Sequence, residues 1–355
     1  MKKILFLYNR NDGHIITGGQ KYENDLYKGL QENTTFKTER ICINDIKGFV
    51  SKLFSPLRNL RLINRLDIYD LIIFNSVEGY YLFLLGCILR FVKGKKILII
   101  HHHFIYMSFN GIKRGIYYLL EKIFLKSANI IITPSPYIES LCKTKFQGKE
   151  VRLWPIPFSA NLDNIEKFPK KGELLYVGTV EARKGLMYLL ESLRYLRKKG
   201  LSYNLTIVGK VIEDNYKKLL DNVIAKYNLN VTFTGFIDLK EKNLIVSNSD
   251  VFVFPSQLEG YGMVLCEAMC EGLPVVCFNN TAMPYVVINN QNGIIVSNKD
   301  SVAFAEAIEH IVENRNLRSL LSAGARKYSK DLINLEDFRE LTNREIREIL
   351  YSSYN

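Results

Sequence analysis

Between Ser249 and Phe278 the chain reads SDVFVFPSQLEGYGMVLCEAMCEGLPVVCF, a stretch that leaves few folds open. Val251 to Phe254 is an uninterrupted apolar run, the pattern of a strand buried on both faces of a parallel sheet. Pro255 and Ser256 stop it. A loop with two glycines and a carboxylate follows, Glu259-Gly260-Tyr261-Gly262, and Met263 to Glu271 reads as a helix. Gly272 and Pro274 end that helix, and Pro274 to Phe278 starts a second buried strand. Parallel neighbours need such a crossover, so the stretch calls for an α/β sheet. Bare amides around Gly260 and Gly262, at a helix N-terminus, form a seat for phosphate or sugar oxygens. Glu259 and Glu267, with seven residues between them, are spaced to reach the two ends of one elongated ligand.

In the form EGYGMVLCEAMCEGLPVV, with its Glu-x7-Glu spacing, the stretch resembles the signature of the retaining family 4 glycosyltransferases of GT-B fold. The resemblance covers nearly the whole chain and is carried most by Leu174 to Val296. It implies two Rossmann-like doubly wound domains facing across a cleft, with a C-terminal helix crossing back to the first. It implies a nucleotide sugar, UDP- or GDP-linked, as donor substrate, and no cofactor.

A chain of 355 residues is long enough for two domains with full cores, and 47% hydrophobic against 24% charged residues is an ordinary globular composition. Lys2 and Lys3 precede five apolar residues before Asn9, a first strand rather than a secretory signal. The longest apolar run, Tyr80 to Leu89, is too short to span a bilayer. Six scattered cysteines without metal-type spacing read as reduced core residues of a cytoplasmic protein. Cys266 and Cys270 are four apart on one helix, for which partial burial is the plainer reading than ligation.

The net charge of +12 is lopsided: residues 1–165 hold 24 Lys and Arg against 13 Asp and Glu, and the remainder 24 against 23. The first half should therefore face something anionic. No nucleic-acid motif is present. An anionic leaflet or a lipid pyrophosphate acceptor fits better, which implies a protein peripheral to the inner face of a membrane.

Lys3 to Tyr8 is the first strand, and Gly18-Gly19 precede a helix over about Gln20–Leu30, where bare amides can meet a phosphate. Gly48 to Leu66 is basic and interleaved with apolar residues, either a membrane-surface segment or a helix packed on the sheet with its arginines outward. Asp70–Asn75 and Lys96–Ile100 are buried strands, and the second runs into His101-His102-His103. Residues just past a strand's C-terminal edge face the ligand crevice. The resemblance places a histidine there near the transferred sugar, aligned with His102, with a slip to His101 or His103 left open. Phe104 to Lys126, rich in aromatic and basic residues, is a second candidate for the acceptor or membrane face. Arg152 to Pro157 reads as the last strand of the first half, and the domains are expected at 1–165, 166–334 and, for the terminal helix, 335–355.

The second half restarts the alternation with Leu174–Val177, then Gly178-Thr179-Val180-Glu181-Ala182-Arg183-Lys184-Gly185 and a helix. Sugar transfer from a nucleotide needs a clamp for the departing pyrophosphate, best supplied by fixed cations and amide dipoles. The resemblance matches Lys184 to the family's loop lysine. The family's arginine after the glycine is Thr179 here, and Arg183 is its proposed substitute. Gly178, Gly209 and Phe236, at successive strand ends, join the candidate donor contacts. By resemblance Glu267 holds the ribose hydroxyls and Glu259 sits by the sugar ring, with the amides of Gly260, Tyr261, Gly262 and Met263 toward sugar or phosphate oxygens. His102, Glu259, Arg183 and Lys184 are thus the expected catalytic set, and Gly18 and Gly19, which resemble the family's N-terminal glycine loop across the cleft from the donor, join the expected donor contacts. No Asp-x-Asp pair marks a strand end, so metal independence is expected. Pro284-Tyr285 stands where the family commonly has Pro-Glu, which leaves the donor sugar open. Two other readings stay open: a sugar-nucleotide epimerase on the same fold, and a catalytically silent module for anionic lipid or nucleic acid.

Overall fold

A computed structural model describes residues 1–8, 18–42, 62–76, 79–158 and 171–351. The chain divides into two compact units, Met1–Pro157 with Ile333–Asn355, and Phe158–Leu332. The domain boundary expected at 165 lies outside the described residues.

In the first unit β1 (Lys2–Tyr8), β2 (Phe36–Cys42), β3 (Leu71–Asn75), β4 (Lys96–Ile100), β5 (Ile130–Thr133) and β6 (Glu150–Leu153) form one sheet in the order β2-β1-β3-β4-β5-β6. Every pairing is parallel. Its central strands are short runs of Ile, Leu and Phe with no polar alternation, because helices cover both faces. Ile4, Leu5, Leu71 to Phe74 and Ile97 to Ile100 are buried. Each such side chain contributes about 1.5–3 kcal/mol by leaving water, so one charge here would undo the unit.

The second unit repeats the scheme with β7 (Glu173–Val177), β8 (Asn204–Val208), β9 (Asn230–Gly235), β10 (Val251–Phe254), β11 (Val275–Phe278) and β12 (Gly293–Val296). The order is β12-β11-β10-β7-β8-β9, again all parallel. β10 and β11 are buried throughout, as their composition requires.

The C-terminal helix Leu335–Tyr351 belongs to the first unit and packs against the helix Gly18–Gln31. Phe338 meets Tyr22 at 5.4 Å between ring centroids, and the Trp154 indole donates to Glu345 at 2.6 Å. Gly29 leaves room for Arg339, whose Cγ a Cβ would approach to 2.8 Å.

Two local expectations need correction, and a third falls mostly outside the described residues. The last strand of the first sheet is Glu150–Leu153, not Arg152–Pro157, since Pro155 and Pro157 have no N–H to give a ladder. The pair Gly18-Gly19 opens its helix rather than preceding it. Of the basic stretch Gly48–Leu66, residues 48–61 lie outside the described residues, and the rest holds a four-residue helix Ile63–Leu66 with Leu62 and Leu66 buried. Among the described residues no helix is long and apolar enough to cross a membrane.

Candidate active site

In each sheet one place reverses the winding direction. In the second unit it lies between β7 and β10, because the chain winds to β8 and β9 on one side and β11 and β12 on the other. The crevice beyond the C-terminal ends of two such strands is where open α/β sheets bind ligands. The chain after β7 carries Arg183 and Lys184, and the chain after β10 carries Glu259. Lys184 Nζ meets Glu259 Oε1 at 2.5 Å and lies 5.5 Å from the Phe254 ring centroid. Arg183 approaches the same oxygen to 3.7 Å, donates to the Leu258 carbonyl at 2.8 Å and pairs with Glu181 at 2.9 Å. Ser256 adds a hydroxyl donor to Glu259 at 2.7 Å. Burial pushes the Tyr176 phenol well up, with Glu259 and Glu181 adding to it, so it stays protonated and donates to the Thr179 carbonyl at 3.1 Å.

Backbone geometry makes this convergence possible. Gly185 has φ 73°, and a Cβ there would fall 2.0 Å from the Pro255 carbonyl oxygen. Only glycine lets the cation loop lie against the end of β10. Likewise Gly209 has φ 147° and would press a Cβ to 2.0 Å from the Gly178 carbonyl oxygen. The β7 and β8 ends therefore present backbone with no side chain, while Phe236, just past β9, is 90% exposed. Gly262, at φ 90°, caps the helix Met263–Cys270. The amides of Tyr261, Gly262 and Met263 have no hydrogen-bond partner among the described residues. The Tyr261 ring instead packs inward against Phe158, 6.2 Å between centroids. Glu267, further along that helix, accepts from Lys242 Nζ at 2.9 Å. No described contact joins Glu267 to Glu259.

In the first unit the winding reverses between β1 and β3, and β4 lies beside them. The helix Gly18–Gln31 turns Gly19, Tyr22 and Glu23 toward His102, the one-turn spacing that puts side chains on one face. His102 Nε2 lies 3.0 Å from Glu23 Oε1, and the same oxygen accepts from the Asn75 amide. Tyr22 meets the ring edge-on at 5.6 Å, and a Cβ on Gly19 would stand 3.8 Å from it. Of the histidine triplet, His103 is exposed and His101 fully buried. Neither His101 ring nitrogen has a hydrogen-bond partner among the described residues, and burial pushes its imidazole well below the usual range, leaving it neutral.

Each unit thus carries its own cluster at strand ends, the second with two cations and free amides, the first with a histidine braced by a carboxylate. Residues 158–328 match the family model of glycosyl transferases, group 1. That glycosyl transferase match spans almost the whole second unit and includes Arg183, Lys184, Glu259 and Glu267. The capsular polysaccharide biosynthesis glycosyltransferase CapM of Staphylococcus aureus is 28% identical over 261 residues, 69% of this chain and 66% of that protein. Among solved structures, sucrose-phosphate synthase from Thermosynechococcus elongatus is similar with TM-score 0.80 and 20% identity, over 99% of this chain and 100% of that one. HepE from Anabaena, in complex with UDP and glucose, gives 0.72 and 18%, over 99% of both chains. At these identities the structural likeness shows the fold, the α/β GT-B architecture expected from the sequence.

Four residues around the two sites were not singled out from the sequence. Glu23 and Asn75 reach His102 from a helix and from β3, and Lys242 and Ser256 reach the two glutamates. Of these, Glu23 alone was findable, as the acid one turn after a glycine pair that opens a helix.

Proposed function

We propose that the chain is a retaining, metal-independent family 4 glycosyltransferase that moves a hexosyl group from a UDP- or GDP-linked donor to a glycan or lipid-linked acceptor. Its setting would be surface polysaccharide or glycoconjugate synthesis at the inner face of a membrane. The observation that carries this reading is the convergence of Arg183, Lys184 and the unpaired amides of Tyr261 to Met263 at the switch point of the second sheet. A diphosphate is the ligand such a site suits. The group 1 match and the UDP and glucose held by HepE support it.

In this reading Glu267 holds the ribose diol, a role suited to an acceptor-only group, and Glu259 sits by the sugar ring. The bond from the anomeric carbon to the diphosphate oxygen breaks as the bond to the acceptor hydroxyl forms on the same face. The acceptor proton passes to the departing diphosphate, whose charge Arg183 and Lys184 meet, so no carboxylate nucleophile is required. His102, braced by Glu23, serves the sugar from the first unit.

A thermal-shift panel of UDP, GDP, ADP and their sugar conjugates on wild type and Glu267→Ala tests this, because a ligand bound by the native fold raises its melting temperature. A shift with one base, lost in the variant, and an anomerically retained product with a glycan acceptor are expected. No shift with any nucleotide sugar and no transfer would overturn the reading.

A further inference from the structure

The helix Gly111–Ser127 departs from the pattern of an ordinary surface helix. Its buried side, Glu121, Phe124 and Leu125, faces the core. The opposite side should be polar. Instead Ile112, Ile116 and Leu119, spaced i, i+4 and i+7, form one stripe, 85%, 44% and 56% exposed. Lys113, Lys122 and Lys126 border that stripe, and the unit that carries it holds 27 Lys and Arg against 17 Asp and Glu, most of the protein's surplus of +12. Aromatic rings and bases flank it: Phe109 stacks on Tyr117 at 4.4 Å between centroids, and Lys122 and Lys145 lie 5.5 and 5.8 Å from the Tyr118 ring. An apolar ridge edged by lysines and tyrosines is the composition of a segment that lies in a membrane interface.

Position adds a second argument. The helix follows β4, so its N-terminal half stands at the C-terminal edge of the first sheet, the edge that carries His102 and Glu23. Glu121 ties it to the segment between, accepting the Ile105 amide at 3.1 Å. We propose that the ridge Ile112–Ile116–Leu119 with Lys113, Lys122 and Lys126 is the surface by which this protein docks on an anionic lipid leaflet. Docked so, it brings the His102 edge of the sheet down to a lipid-borne acceptor. The purpose of the contact rests on the proposed transferase reading, but the contact itself requires neither donor nor acceptor.

The test is co-sedimentation of the full chain with vesicles of phosphatidylglycerol mixed with phosphatidylcholine, against phosphatidylcholine alone. Wild type should bind the anionic vesicles and lose them as salt is raised. The double variant Ile116→Glu/Leu119→Glu should bind at least about tenfold more weakly, because two inserted apolar side chains become charged. Lys113→Gln/Lys122→Gln should weaken binding to the anionic vesicles alone. The first variant alters two exposed side chains and the second one exposed and one half-buried lysine, so their melting temperatures, and any rise on adding the donor nucleotide, should stay close to wild type. Equal vesicle binding by wild type and the double variant overturns the proposal, as does binding indifferent to headgroup charge. Concentration-dependent dimerisation lost in the double variant, without vesicle binding, overturns it in favour of a second copy of the chain. Vesicle binding without any nucleotide effect would sustain the ridge and sink the transferase reading, and the reverse result would do the opposite.

Discussion

Glu121→Gln isolates one buried carboxyl and has a calculable consequence. Glu121 is only 4% exposed, and burial pushes its pKa from the ordinary 4.5 up to about 7, against the pull of the Ile105 and Tyr106 amides. Between those two values the native unit holds a proton that the unfolded chain has released. Stability is therefore fully present below pH 4.5 and is lost as pH rises through 7. One pH unit is worth about 1.4 kcal/mol, so the loss across this window of some two and a half units comes to roughly 3 to 3.5 kcal/mol. Like the protonated acid, the glutamine keeps one carbonyl acceptor, for the Ile105 amide, and gives up only the long 3.5 Å contact to the Tyr106 amide, but it has no proton to lose. The variant should match wild type near pH 4.5 and exceed it by up to about 3 kcal/mol at pH 8. The chain has a single tryptophan, Trp154, buried in the first unit, so its fluorescence in a urea titration reports the unit that holds Glu121. A stability difference between variant and wild type that stays flat from pH 5 to pH 8 would refute the argument.

Lys184→Met should lower kcat by about a hundredfold to a thousandfold at a nearly unchanged melting temperature, as removal of one charge-stabilising donor does; steady-state kinetics beside a thermal melt checks it. Gly185→Ala should cost at least about 2 kcal/mol, since its Cβ cannot share the space of the Pro255 carbonyl at a positive φ. Denaturation would show that loss, and activity should fall with it because the loops carrying Lys184 and Glu259 are forced apart. Glu23→Gln should lower kcat about tenfold to a hundredfold with the donor KM unchanged, because His102 loses its carboxylate partner while the proposed donor clamp of Arg183 and Lys184 is untouched. A changed donor KM with intact kcat would contradict that division of roles.

The sequence made the alternation of strands and helices legible because parallel strands buried on both faces must be continuous apolar runs, as KILFLY, KILII and VFVF are. The loops after β7 and β10 were legible too, since their glycines and charges follow directly on such runs. Strand order was not. It depends on which crossovers turn left or right of β1 and β7, and no local residue encodes that. Partners remote in sequence were equally hidden: Lys242 meets Glu267 across 25 residues, and Glu23 meets His102 across 79. The prolines after Leu153 misled the strand end, because an apolar run flanking Pro155 looks like β-structure until the missing N–H is counted.

The terminal helix makes the order of synthesis run against the order of assembly. Tyr22, Trp154 and the face of the helix Gly18–Gln31 wait for Phe338, Glu345 and Arg339, which leave the ribosome only after residues 158–332 are complete. The unit begun first is therefore finished last, and the interposed one can close its sheet while its predecessor still lacks a wall. A chain stopped at Leu332 would carry an intact second unit and an open-sided first one, with the Trp154 indole N–H deprived of its Glu345 acceptor and Tyr22 of its Phe338 contact. Nascent chains of that length should be the species most in need of a holding chaperone.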